Sequence, residues 1–130
     1  MPLSPTERSA IFQLLVTALQ KCCPPMVESK STKDAFEIIG NKPVPYGSTK
    51  KIIPGMYFAS AVARKDMVSF YLFPLYSDAV YFEGVAPSLE KCLKGKTCYN
   101  FKKTSEVDVK ELDKLLKKAV QLWKKAGYLA

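Results

Sequence analysis

The chain has 130 residues, of which 48% are apolar and 25% are charged. These proportions exclude an intrinsically disordered chain, a collagen-like repeat and a small disulfide-rich scaffold. The 20 Lys and Arg residues outnumber the 12 Asp and Glu residues, so the net charge is +8, and the absence of histidine removes the commonest general base and metal ligand.

The first predicted element is an amphipathic helix. Ser4, Pro5 and Glu7 form the pattern of an N-cap, a proline in the first turn and a capping box. Apolar residues then recur at helical spacing, at Ile11, Leu14, Leu15, Ala18, Leu19 and Cys22. Pro24 and Pro25 end the helix, because proline lacks the backbone N–H that the helix needs.

The next segment predicts one strand between two irregular stretches. Residues 26–34 are polar and turn-like, whereas the β-branched pair in residues 35–39 favours a strand over a last helical turn. Residues 41–55 contain three prolines and two glycines, which predicts a long surface loop.

The strongest β signal is a hairpin made of Met56 to Ala63 and Met67 to Phe73. Strict alternation places Tyr57 and Ser60 on opposite faces of the sheet, and Tyr71 and Ser69 on the same face. Both faces are fairly apolar, so we expect helices or a partner subunit to cover more than one side of the sheet.

The last part of the chain predicts a helix, a strand and a closing helix. A short helix begins at Pro87 and stops by Gly95, and residues 97–101 alternate as a strand. An apolar stripe at Val109, Leu112, Leu116, Ala119, Val120 and Trp123 marks the closing helix. The predicted fold is therefore α+β, with an antiparallel sheet of about four strands packed against N-terminal and C-terminal helices in the order α-β-β-β-α-β-α.

Three runs carry a resemblance to a known family. They are GMYFASAVARK at residues 55–65, VSFYLFPLY at residues 68–76 and LKGKTCYNFKK at residues 93–103. Together they resemble the YdhG-like family of bacterial domains of unknown function, over roughly residues 34–128. The chain length predicts a single domain over residues 1–130, and the resemblance implies a shape similar to frataxin.

One branch of that family is regarded as iron chaperones, a role that rests on carboxylate-rich surfaces. This chain is basic, and its densest acidic group is Glu106, Asp108, Glu111 and Asp113 at the start of the closing helix. Negative charge is favoured at a helix N-terminus, so these residues are interpreted as helix capping. We therefore predict no metal site and no cofactor.

The candidate binding residues are aromatic residues and lysines around the predicted sheet. Tyr57, Tyr71 and Tyr76 are either core residues with the hydroxyl at a wet edge or the wall of a ligand pocket. Lys96 and Lys102, at the two ends of one strand, would add an anion contact to such a pocket, although solvated lysines are the ordinary alternative.

The basic residues are concentrated in the C-terminal third. Residues 91–130 hold eleven lysines and four acids, whereas residues 1–90 hold nine basic and eight acidic residues. This asymmetry predicts, as an alternative function, a module that binds nucleic acid or another anion. Arginine is scarce and no recognised nucleic-acid motif is present, so this alternative is not favoured.

The four cysteines show no zinc-ligand spacing and are interpreted as small buried residues. Four lysines near Cys98 in the sequence favour its thiolate form, which leaves a thiol-dependent activity as a weaker alternative. Without histidine no Ser/His/Asp or Cys/His set exists, and we predict no catalytic residues and no enzymatic activity.

The leading hypothesis is a cytoplasmic binding or chaperone-like domain. Its ligand, a small molecule or a protein, would occupy a cleft lined by tyrosines on the sheet face, and the chain would form a homodimer through its sheet or a helix. The first five residues lack the basic region of a signal peptide, and no apolar run approaches the roughly 20 residues of a membrane span, so we expect no membrane association.

Overall fold

A computed structural model gives the structure of the protein and describes residues 3–78, 80–95 and 97–130. The strands are β1 (Val27–Ser31), β2 (Ala35–Ile39), β3 (Val44–Tyr46), β4 (Lys51–Ile53), β5 (Tyr57–Ala63), β6 (Val68–Leu72), β7 (Leu93–Lys94) and β8 (Cys98–Phe101). The helices are α1 (Pro5–Gln20), α2 (Pro74–Ser77), α3 (Pro87–Glu90) and α4 (Val109–Lys125), with single 3₁₀ turns at Val80–Phe82 and Thr104–Glu106.

The described residues form a six-stranded antiparallel sheet in the order β1-β2-β5-β6-β8-β7, and β3 pairs with β4 in a separate hairpin. The predicted α+β class, with an antiparallel sheet between an N-terminal and a C-terminal helix, is confirmed. The strand count of about four was too low.

The missed strands are those without a hydrophobic pattern. All five residues of β1 are exposed because β1 is an edge strand, so the segment predicted as turn-like shows no alternation. The predicted loop at residues 41–55 contains β3 and β4, and a two-stranded hairpin accommodates Pro45 because only one side of each strand is paired.

The helix α1 begins at the predicted cap Ser4, and α4 begins after Asp108, one of the acidic residues interpreted as helix capping. The hydroxyl oxygen of Ser4 accepts a hydrogen bond from the N–H of Glu7 at 3.2 Å, and Asp108 accepts one from the N–H of Glu111 at 3.1 Å. α1 buries the side of Ile11, Leu15 and Leu19 against β5 and β6. Burial of these apolar side chains is the main stabilising contribution of the helix layer.

The sheet has one face covered by the helices and one open face. The helix face carries a row of three cross-strand neighbours, Ala61 on β5, Phe70 on β6 and Tyr99 on β8. All three side chains are buried. The open face carries Ser60 on β5 and Tyr71 on β6, also directly opposite each other.

Strict alternation wrongly placed Tyr57 and Ser60 on opposite faces. The register of β2 against β5 shifts between Ile38 and Ile39, so Phe58 is an extra residue at a β-bulge. The bulge turns Phe58 toward α4, where its ring packs edge-on against Trp123 at 6.1 Å between centroids. It returns Tyr57 to the open face, where the Tyr57 hydroxyl is hydrogen-bonded to the Ser60 hydroxyl.

Candidate ligand-binding cleft

The open face carries a row of side chains across five strands. The pairing register places Glu37, Ser60, Tyr71, Cys98 and Lys94 side by side, on β2, β5, β6, β8 and β7. Of the sequence-predicted residues, Tyr57, Tyr71 and Cys98 therefore lie on one face. The row continues to Lys30 on β1, the cross-strand neighbour of Glu37, so a lysine stands at each end of the row and the carboxylate lies next to the β1 end.

The middle of the open face is occupied by a hydrogen-bonded network. Arg64 donates from Nε to the Ser69 hydroxyl at 3.0 Å and from Nη2 to the Tyr71 hydroxyl at 2.6 Å. Oδ1 of Asn100 accepts from the Ser69 hydroxyl at 2.9 Å and from the Cys98 thiol at 3.4 Å. Because Tyr71 and Cys98 are both engaged in this network, the middle of the face is structurally fixed.

A cleft opens where the β3–β4 hairpin reaches over the β2–β5 side of this face. Its volume is about 420 Å³, which lies within the range of small-molecule sites. It is lined by Ser29, Glu37, Ile39, Tyr46, Ile53, Pro54, Gly55 and Tyr57. We call this the hairpin cleft. The lining is mostly apolar, with one carboxylate and two phenol rings.

Tyr57 forms part of the floor of the hairpin cleft. Burial raises the pKa of its hydroxyl to about 12, an effect that the hydrogen bond to Ser60 opposes and the negative charge of Glu37 reinforces. The phenol is therefore neutral at physiological pH. Since Ser60 holds the hydroxyl, the ring is positioned to contact an apolar group in the cleft.

Glu37 is the negatively charged residue in the lining of the hairpin cleft. Ser29, the bulged residue of β1, donates from its hydroxyl to Oε2 of Glu37 at 2.7 Å. No donor among the described residues is bonded to the second carboxylate oxygen. The carboxylate thus keeps one oxygen for a ligand or for water.

Tyr76 lies outside the hairpin cleft. It is on α2, is 62% exposed, and stacks on Phe73 with 6.0 Å between ring centroids. Phe73 in turn lies 5.8 Å from the ring of Tyr57. The two tyrosines are therefore connected through Phe73 rather than through a common cavity.

Of the two predicted lysines, the structure describes Lys102, which does not line the hairpin cleft. Lys96 lies outside the described residues. Lys102 lines a separate depression of about 270 Å³ with Lys91, Lys94, Asn100 and Glu106, among other residues. The predicted set is therefore divided between the open face, the exposed surface of α2 and this depression.

Sequence reasoning missed most residues of the hairpin cleft. Glu37 was placed in a predicted strand but was not selected, although a lone carboxylate between apolar residues at positions 36–39 was a usable signal. Tyr46 and Ile53 were assigned to a loop, and the closeness of the hairpin to β2 has no signature in the sequence.

Three of the four acidic residues at the start of α4 are used for capping, whereas the fourth, Asp113, is paired with Lys21. Oε1 of Glu106 accepts from the N–H groups of Lys102 and Lys103, and Oε1 of Glu111 accepts from the N–H of Ser88. With Asp108 at the N-cap of α4, these contacts agree with the interpretation as helix and turn capping. Within the ranges that the structure describes, no set of three or more cysteine or acidic side chains is placed to hold a metal ion.

The four cysteines are free thiols in different environments. Cys22 and Cys92 are buried, whereas Cys23 and Cys98 are half-buried. Burial raises the pKa of Cys22 to about 12, and the neighbouring Cys23 and Asp113 reinforce this effect.

We expect an aromatic disulfide reagent to modify Cys98 well before Cys22 in the folded protein. With a pKa of about 12, roughly one Cys22 thiol in ten thousand is ionised at pH 8. Thiol counting with and without denaturant, with Cys98→Ser as control, measures the difference. Equal rates for the two thiols would contradict this prediction, and the thiol-dependent hypothesis additionally requires Cys98 to react faster than free cysteine.

None of the helices in the described part of the chain combines the length and the apolar composition needed to cross a bilayer.

Comparison of the chain with protein-family models, with curated proteins and with solved structures finds no match.

Proposed function

We propose that this protein is a non-enzymatic binding protein whose ligand places an apolar or aromatic group in the hairpin cleft. The observation that carries the proposal is the cleft itself, a cavity of about 420 Å³ with a largely apolar lining on an open sheet face. Ile39, Ile53 and Tyr57 are half-buried and line this cleft, so they leave apolar surface there that a ligand can cover.

The residues that line the hairpin cleft favour binding over catalysis. Tyr57 is held neutral by burial and is hydrogen-bonded to Ser60, so it offers a ring rather than a nucleophile. Ile39 and Ile53, from two different sheets, offer the apolar surface that a hydrocarbon group would cover. They contribute to the binding free energy in proportion to the apolar area that a ligand removes from water.

Phenethyl alcohol, a neutral aromatic probe, tests this proposal. We expect binding with Kd on the order of 1 mM, which corresponds to about 4 kcal/mol and suits a ligand of this size. Backbone amide NMR spectra should show shifts at residues 37–39, 53, 55 and 57. Tyr57→Ala should weaken binding by about fivefold or more, because it removes the ring from the floor of the cleft.

The matched control is Tyr81→Ala, which removes the same side chain next to α4, where Lys118 lies over its ring, outside the cleft lining. It should leave the affinity for phenethyl alcohol unchanged. Absence of binding up to the solubility limit of the probe, or shifts confined to other parts of the chain, would overturn the proposal.

Two further hypotheses from the sequence remain proposals. Membership of the YdhG-like family rests on the hairpin sequence and on the Gly95-Lys96 turn. An anionic partner for the basic C-terminal third is supported by the exposed lysines of α4 and by the depression that Lys91, Lys94 and Lys102 line.

A further inference from the structure

The carboxylate of Glu37 forms no ion pair with any of the described residues. The ion pair found among the described residues joins Lys21 to Asp113, on the helix side of the molecule. Lys30 is the cross-strand neighbour of Glu37 on β1, but its ammonium group is not within the 4.0 Å of an ion pair. The lining of the hairpin cleft contains no lysine or arginine.

Most acidic residues of the described chain share this lack of an ion pair, and Glu37 is distinguished by its place in the mostly apolar lining of the hairpin cleft. Elsewhere on the open face the polar groups satisfy one another, as Arg64, Ser69, Tyr71 and Asn100 do. In the hairpin cleft one neutral hydroxyl contacts one oxygen of the carboxylate. Among the residues that the structure describes, no ammonium or guanidinium group forms an ion pair with this carboxylate.

The aromatic rings of the hairpin cleft also favour a positively charged ligand. Tyr57 and Tyr46 line it from the sheet and from the hairpin, and the faces of phenol rings attract cations. Glu37 lines the same cleft as both rings, so a cation in the cleft can contact the carboxylate and a phenol face together.

We infer that the ligand of the hairpin cleft is an organic cation, an amine or quaternary ammonium group attached to an apolar body. Its positive charge pairs with Glu37 and its apolar body packs against Ile39, Ile53 and Tyr57. This inference rests on the proposed function, and it adds the charge of the ligand to it.

Three probes with the same aromatic body test the charge preference. They are phenethylammonium, phenethyl alcohol and phenylpropionate, which are cationic, neutral and anionic at neutral pH. We expect the cation to bind about tenfold more tightly than the alcohol, and the anion to bind most weakly, as measured by NMR titration. The net charge of +8 favours anions over the whole surface, so a preference for the cation must arise locally.

Glu37→Gln keeps the shape of the side chain and removes its charge. This variant should lose the tenfold preference for phenethylammonium while its affinity for phenethyl alcohol stays within about twofold. Asp66→Asn is the matched control, because it makes the same change in net charge at an exposed position in the β5–β6 turn, outside the cleft lining. The control should keep the full preference.

The outcomes separate this inference from the proposed function. If the alcohol and the ammonium bind equally and Tyr57→Ala weakens both, the cation preference is wrong and the cleft remains a binding site. Retention of the preference in Glu37→Gln would also overturn the inference. If none of the three probes binds, the proposed function itself fails.

Discussion

Replacing Trp123 by alanine is expected to lower the free energy of unfolding by about 3–5 kcal/mol, the range for removing a large buried aromatic side chain. Trp123 is 1% exposed, and its indole contacts the rings of Phe58, Phe73 and Tyr128 at centroid distances of 6.1, 6.1 and 4.9 Å. These contacts connect α4 to the bulge of β5, to the end of β6 and to the C-terminal segment. Urea unfolding followed by far-UV circular dichroism measures the loss.

Trp123→Phe is the matched variant. The Nε1 atom of Trp123 is buried and has no hydrogen-bond partner in the described structure, so the tryptophan carries the cost of an unsatisfied donor. Phenylalanine removes that cost and leaves a smaller void, and we expect a loss of about 1–2 kcal/mol. An alanine variant as stable as the phenylalanine variant would contradict the structural role given to this side chain.

The parts of the fold that could be predicted from sequence are those with strong periodicity. α1, α4 and the β5–β6 hairpin have long apolar patterns and clear caps or turns, because each buries one face against the core. The strands β1, β3 and β4 are short, exposed or isolated from the main sheet, and their pairing depends on the backbone rather than on an apolar pattern.

The candidate site was less predictable than the fold. Tyr57 and Tyr71 were selected because tyrosines on a sheet often line a pocket, yet Tyr71 is held by Arg64 and does not line the hairpin cleft. The side to which Tyr57 points depends on a single bulge residue, Phe58, and a bulge has no reliable sequence signal. The position of Glu37 beneath a hairpin depends on a chain reversal between residues 40 and 55, which sequence periodicity does not reveal.

That chain reversal depends on two glycines in backbone contact. The N–H of Gly40 donates to the carbonyl oxygen of Met56 at 2.8 Å, which brings the two ends of the segment together. A Cβ atom on Gly55 would overlap the carbonyl oxygen of Gly40 and lie 2.9 Å from its carbonyl carbon. Because both contacts are with backbone atoms, a side chain at residue 55 forces the strands apart.

We therefore expect Gly55→Ala to lower the free energy of unfolding by about 1–3 kcal/mol, the cost of overpacking. It should also weaken binding of phenethyl alcohol, since the new Cβ would lie 3.1 Å from Cδ1 of Ile39 and both residues line the hairpin cleft. Gly47→Ala is the control: Gly47 has φ +78° at the hairpin turn with open space around it, so strain of about 1–2 kcal/mol is expected with unchanged affinity. Urea unfolding and NMR titration of the two variants separate these effects. Equal affinity in Gly55→Ala and the parent protein would mean that the reversal at residues 40 and 55 does not shape the cleft.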